Sequence, residues 1–251
     1  MILDNLYLEI TRDCTIECEH CLRGEKEHKN MSVTTLENVL KNIKKIGTLL
    51  LSGGEPLINI QLLEALPHLI EKYNIDVNRI GIITNGTVYS ERHVDALNGL
   101  KGCCNELDFV LSSDLFHRLE WQRLGVEELV ERNFDRYNES VGIRKYLSND
   151  INQCVVLFRK GRALKISSER LAEIKRKHHI EYKFGVEEQE RVIRFGNMVE
   201  GKLYINVDGY LVNYNLSFKE EDRVINNYSI NGYSLTELID NQGNQKKLGT
   251  Y

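Results

Sequence analysis

Cys14, Cys18 and Cys21 fall within the eight-residue run Cys14-Thr15-Ile16-Glu17-Cys18-Glu19-His20-Cys21, which holds half of the chain's six cysteines. Three thiolates at this spacing hold three irons of a cubane cluster and leave the fourth iron open to a further ligand. The same spacing admits zinc, with His20 or His28 as fourth donor, although Cys103, Cys104 and Cys154 supply no second zinc-type pair. The spacing differs from the bacterial ferredoxin run, whose fourth cysteine precedes proline. The three thiols are too close to be bridged easily among themselves and Cys103-Cys104 is an adjacent pair, so the even count does not describe a disulfide framework. A reducing cytoplasm is the expected setting.

Three further polar stretches stand at the ends of apolar runs: Gly53-Gly54-Glu55-Pro56, Thr84-Asn85-Gly86 and Ser112-Ser113-Asp114. Taken singly, a Gly-Gly-Glu-Pro or Asn-Gly stretch is a turn, and Ser112 or Asp114 is a helix cap. Their common position is the informative part. The run from Leu6 to Thr11 reads as the first strand and leads into the cysteine loop, which continues through polar residues 23–30. A helix starts near Thr34, with Thr34-x-x-Glu37 at capping-box spacing. Residues 48–51 form a continuous apolar strand of the kind buried on both faces. Helix and strand then alternate: Leu62 to Tyr73, Ile80 to Ile83, Val94 to Leu100, Leu107 to Leu111, and a longer helix from Val126 to Tyr137. A strand at 153–158, a helix at 168–177 and a strand at 180–184 follow. This alternation implies right-handed βαβ units and a parallel sheet. Six units fit an α/β fold of the partial (β/α)6 barrel type, with ligands at the strand ends.

From about Arg191 the rhythm changes. Residues 202–207, Asp208-Gly209 and residues 210–214 read as a β-hairpin with a type I′ turn, and Ser234-x-x-Glu237 caps a short helix. The expected division is residues 1–190 as the barrel and 191–251 as a small extension. The 251 residues are 41 % hydrophobic and 28 % charged, with net charge −4, which is ordinary for a soluble globular protein and unsuited to holding long nucleic acids by bulk charge. No apolar run approaches the roughly 20 residues that span a membrane, and the first residues lack a signal-peptide pattern.

With the cysteine loop after the first strand and the motifs in order at the next three strand ends, the sequence resembles the radical S-adenosylmethionine (SAM) enzymes across roughly residues 5–190. Their signature is CxxxCxΦC, with His20 in the Φ place, followed by GGEP, here residues 53–56. The resemblance implies that Cys14, Cys18 and Cys21 bind one [4Fe–4S] cluster and that SAM chelates the open iron. It implies a SAM site built from His20, Gly53, Gly54, Glu55, Pro56, Thr84, Asn85, Ser112 and Asp114, with Arg159, Arg162 or Arg123 neutralising the methionyl carboxylate. Within that site the two glycines let backbone carbonyls approach the methionyl ammonium and Glu55 adds negative charge. His117 and Trp121 read as a helix-entry histidine and a packed tryptophan, with a substrate-facing role as the alternative. Cys103, Cys104 and Cys154 read as structural.

The resemblance further implies reductive cleavage of SAM to a 5′-deoxyadenosyl radical, which abstracts hydrogen from a substrate, and an electron donor of flavodoxin or ferredoxin type. The tail is similar to the start of a SPASM or twitch extension, in which Asn213 stands where a cysteine is expected. No cysteine follows residue 154, so no auxiliary cluster is expected. A peptide or protein is the substrate this suggests. A nucleoside, nucleotide or modified base is the second reading, and a non-catalytic iron–sulfur or zinc sensor the third. No catalytic side chain is identified.

Overall fold

In the computed structural model the described residues are 1–142, 146–148, 154–157, 161–184, 193–212 and 224–240. Alternating side chains turn the early runs into two-faced strands: β1 (Ile2–Thr11), β2 (Lys45–Gly53), β3 (Asp76–Thr84) and β4 (Glu106–Ser112). Leu6, Leu8 and Ile10, then Leu49 and Leu51, Ile80 and Ile82, and Phe109 and Leu111 are buried on one face. The intervening Tyr7, Thr48, Leu50 and Ser52 are half-buried on the other face, which is concave. The run 48–51 is therefore not buried on both sides, because its second face opens into the half-barrel.

Helices cover the convex face: α1 (Val33–Leu40), α2 (Ile60–Tyr73), α3 (Glu91–Gly102) and, after the short α4 (Leu115–Leu124), α5 (Glu127–Val141). Leu36, Leu40, Leu62, Leu66, Leu97 and Leu100 are fully buried there. Each such side chain contributes roughly 1.5–3 kcal/mol. The helix expected from Val126 is α5. It is preceded by α4, and Gly125 in the left-handed region (φ +67°) separates the two.

β5 (Tyr146–Ser148), β6 (Cys154–Leu157), α6 (Ser168–His178), β7 (Glu181–Phe184), β8 (Ile193–Phe195) and β9 (Met198–Ile205) follow. β9, β1, β2, β3, β4 and β5 lie side by side in that order, all parallel, and form the expected partial barrel. β6 and β7 pair in parallel as a second, two-stranded sheet. β10 (Tyr210–Val212) runs antiparallel to β9, β11 (Val224–Ser229) extends that edge, and α7 (Leu235–Asp240) closes the described chain. The expected boundary at 190/191 lies outside the described residues, as does Asn213. No helix among the described residues is long and apolar enough to cross a membrane.

Two local expectations change. Ser32, not Thr34, caps α1: its side chain accepts from Thr35 N–H at 3.0 Å, while Glu37 takes Lys72 Nζ and Tyr73 OH, each at 2.6 Å. Ser32→Ala should cost about 1 kcal/mol and Thr34→Ala a few tenths, read by urea unfolding; equal effects would contradict this cap. The β9–β10 turn is not type I′, which needs two positive φ angles. Asp208 does not adopt one; Gly209 does (φ +79°). The Asn206 side chain accepts from Asp208 N–H and Tyr210 N–H, giving a three-residue loop in place of a two-residue one.

Candidate active site

β1 ends at Thr11, and the cysteine loop leaves it across the end of β2. Gly54 N–H donates to Thr11 O at 2.9 Å and Glu55 N–H to Asp13 O at 2.8 Å, so two rungs continue the strand pairing into the loop. The glycines make this approach feasible. A Cβ on Gly53 would stand 2.1 Å from Thr11 O, and one on Gly54 2.0 Å from Asp13 O. Their first task is to bring the cysteine loop against the GGEP backbone.

More distant elements hold the other side of the loop. Arg162 donates from Nε to Cys18 O at 3.0 Å and from its backbone N–H to Cys21 O at 2.9 Å. Glu120 of α4 accepts from Glu17 N–H at 3.1 Å, Arg170 of α6 pairs with Glu19 at 2.8 Å, and Lys29 pairs with Asp208 of the hairpin turn at 2.7 Å.

Cys14, Cys18, Cys21, His20, Gly53, Gly54, Thr84, Asn85, Ser112, Asp114 and Arg162 line one cavity of about 500 Å³ at the strand ends. That volume is within the range of small-molecule sites, about 300–1,000 Å³. Tyr7, Arg23, Ser52, His117 and Tyr204 also line it. Sequence reasoning read His117 as a helix-entry histidine and passed over the other four, because their signals are tertiary. Tyr7 and Tyr204 are register partners on β1 and β9, with ring centroids 4.7 Å apart. Arg23 reaches back from the polar loop to Glu9 and Ser52.

Glu55 and Pro56 are buried and do not line the cavity. Glu55 Oε1 accepts from Thr84 Oγ1 at 2.8 Å and Leu57 N–H at 3.1 Å, and Oε2 accepts from Asn85 N–H at 2.7 Å. The carboxyl braces the end of β3 from beneath. Arg123 is on Glu120, outside the cavity. Arg159 and the side chain of Cys154 lie outside the described residues. Trp121 is buried, as a packed tryptophan would be. Cys103 and Cys104 sit where α3 gives way to β4, far from the strand ends that carry the cavity, with both thiols on Leu100 O.

Burial pushes the Cys14 thiol up to about 11 and the Cys18 thiol higher still, with nearby carboxylates adding to the effect. Metal ligation would displace those protons. Asp114 caps α4 by accepting from Phe116 N–H and His117 N–H, and its Oδ2 also meets His20 Nε2 at 3.2 Å and His117 Nδ1 at 2.7 Å. Burial raises its pKa, but the two imidazole contacts outweigh that and hold the carboxyl well below the usual range. The His20 ring stacks on Phe116 at 4.7 Å, and its Nδ1 is buried without a partner.

The parallel half-barrel and the three thiols lining one strand-end cavity define the class: an α/β protein with a donor set suited to a metal-bearing cofactor at its strand ends. The sequence profile described as Radical SAM superfamily matches residues 8–111. A putative L-lysine 2,3-aminomutase of Aquifex aeolicus is 24 % identical over 180 residues, 67 % of this chain and 48 % of that protein. An uncharacterized protein of Methanocaldococcus jannaschii is 28 % identical over 102 residues, 39 % of this chain and 36 % of that one. The chain thus spans about half the length of the first relative and about a third of the second.

Among solved structures, native anSMEcpe with bound AdoMet and Cp18Cys peptide matches with a TM-score of 0.59 at 16 % identity, over 98 % of this chain and 82 % of that one. Streptococcus suis SuiB bound to precursor peptide SuiA matches at 0.51 and 14 % identity, over 95 % and 64 %. These likenesses show the fold. The family that this profile describes implies a [4Fe–4S] cluster and SAM. The three-thiol donor set, the glycine-lined wall and the orphaned His20 Nδ1 fit such groups.

Proposed function

We propose that Cys14, Cys18 and Cys21 hold a single [4Fe–4S] cluster, that SAM completes it, and that the enzyme acts on a carbon of a peptide or protein. When bound, the pair supplies reductive cleavage of SAM and a hydrogen-abstracting radical. The observation that carries this reading is the convergence of the three thiols with the ends of β2, β3 and β4 on one cavity.

This chain's own residues bind, orient and exclude water. Asn85, fixed through its backbone by Glu55, donates from Nδ2 toward Cys14 Sγ at 3.5 Å and steadies that thiol. His20 borders the adenine, and Ser112 and Asp114 offer polar atoms to the ribose. Arg162, anchored on the cysteine loop, and Arg23 supply positive charge for the methionyl carboxylate. Thr84 and Glu55 act from beneath as positioning residues, and Gly53 and Gly54 close the wall. Tyr7, Leu50, Ile83 and Tyr204 form the floor toward the substrate.

The peptide class is supported by the two solved structures that hold peptides and by the antiparallel β10–β11 edge that follows β9. A flavodoxin- or ferredoxin-type protein donates the electron. The test is anaerobic reconstitution with iron and sulfide, then SAM and dithionite, with 5′-deoxyadenosine measured by mass spectrometry. Wild type should form it while the Cys14, Cys18, Cys21 triple Ala variant stays at background. Equal yields would end the enzyme reading.

A further inference from the structure

We propose that the metal-free protein carries a mononuclear divalent-metal site formed by Cys18, His20 and His117, which takes a borderline ion such as Zn²⁺ or Co²⁺ and excludes the cluster while it is filled. Cys18 Sγ and one ring nitrogen of each histidine lie within 4.8 Å of one another. Side-chain rotations of about 1 Å bring such a group to tetrahedral contact, with metal–sulfur near 2.3 Å and metal–nitrogen near 2.0 Å. Three protein ligands leave the fourth position to water.

The surroundings match what a metal requires of its ligands. Asp114 Oδ2 engages Nε2 of His20 and Nδ1 of His117, so one carboxylate orients both rings from behind. The ring nitrogens that Asp114 does not engage are His20 Nδ1 and His117 Nε2. The first is fully buried with no hydrogen-bond partner, which is costly unless something ligates it. His20 is held by stacking on Phe116, with its plane tilted 13° from that ring, and His117 meets it edge-on at 5.1 Å. A divalent ion, one thiolate and the Asp114 carboxylate sum to zero charge, which suits a half-buried place. Cys14 and Cys21 take no part.

The site shares Cys18 with the cluster reading but no other ligand, so the two stand or fall separately. The experiment titrates Co²⁺ into reduced, metal-free full-length chain under anaerobic conditions and follows d–d and thiolate-to-cobalt absorption. One equivalent should bind in wild type and in Cys14→Ala, which loses the cluster. Binding should vanish in Cys18→Ala and His117→Ala, and Asp114→Asn should weaken it about 10- to 100-fold. His117→Ala should still take up iron and sulfide, which also reports its folding, and prior Zn²⁺ should slow cluster uptake in wild type but not in that variant. An unchanged cobalt spectrum in His117→Ala, or loss of binding in Cys14→Ala, overturns the proposal. Cluster uptake without cobalt binding sinks this site alone, whereas cobalt binding without cluster uptake sinks only the cluster reading.

Discussion

Gly54→Ala is expected to strip iron from the reconstituted protein and to lower 5′-deoxyadenosine formation by about 100-fold or more, the cost of misplacing reacting groups by an ångström. The new Cβ would stand 2.0 Å from Asp13 O, 2.6 Å from Asp13 C and 3.1 Å from Cys14 Cβ. The first two are backbone atoms, so no side-chain rotation relieves them. The loop must retreat by about 1 Å, and the Glu55 N–H to Asp13 O bond goes with it. Overpacking of about 1–3 kcal/mol and a lost buried hydrogen bond of about 1 kcal/mol add up against the native loop. Cys14 is carried along because it follows Asp13 directly. Iron content and product yield are the measurements. Wild-type values for both would show that the loop is supple and that the glycine serves some other end.

The second large effect concerns Glu55. Burial pushes its carboxyl up to about 7 from the usual 4.5, against three donated hydrogen bonds that pull the other way. The folded protein therefore keeps this proton across a range in which the unfolded chain has released it. Its contribution to stability is fully present below about pH 4.5 and is lost as pH rises through about 7, a change of about 3 kcal/mol. Glu55→Gln removes the titration and introduces a different penalty. An amide NH₂ must face either Leu57 N–H or Asn85 N–H, a donor against a donor, at about 1–3 kcal/mol. The cost of the substitution should be large near pH 5 and shrink by up to about 3 kcal/mol near pH 8, read by urea unfolding of the metal-free protein. A cost that grows with pH would mean that the three hydrogen bonds win and the carboxyl is ionised in the fold.

How far the sequence could be read follows from which signals are local. Strand ends were legible because apolar runs stop at Gly53, Thr84 and Ser112, and chain direction alone puts those ends on one rim of a parallel sheet. The cysteine loop was legible from residue type and spacing. Glu55 was read as a charge offered to the ligand, and it is a buried brace. Nothing in a linear GGEP stretch tells which way its carboxylate turns. Arg23 was hidden in a polar loop, because its reach back to Glu9 and Ser52 depends on the loop's path. Ser32 and Thr34 both suit a helix start, and a two-residue offset decided by Thr35 is below what pattern alone resolves. Residues 202–207 were read as half of a separate hairpin, whereas the strand is Met198–Ile205. Its parallel pairing with β1 joins residues nearly the whole chain apart, and such pairing leaves no mark on local periodicity.

That pairing fixes the order of events in making the protein. β1 is synthesised well before β9, so one of its edges stays open until residue 205 has emerged, and its loop waits for Arg162, Arg170 and Asp208. Closing so long a stretch of chain is slow and precedes its reward. A nascent chain on the ribosome thus exposes three thiols before it has walls to put around them. The surroundings of the thiols are complete only once the chain has folded through residue 208, and any delay before then lengthens the time in which bare thiols meet stray metal or oxidant.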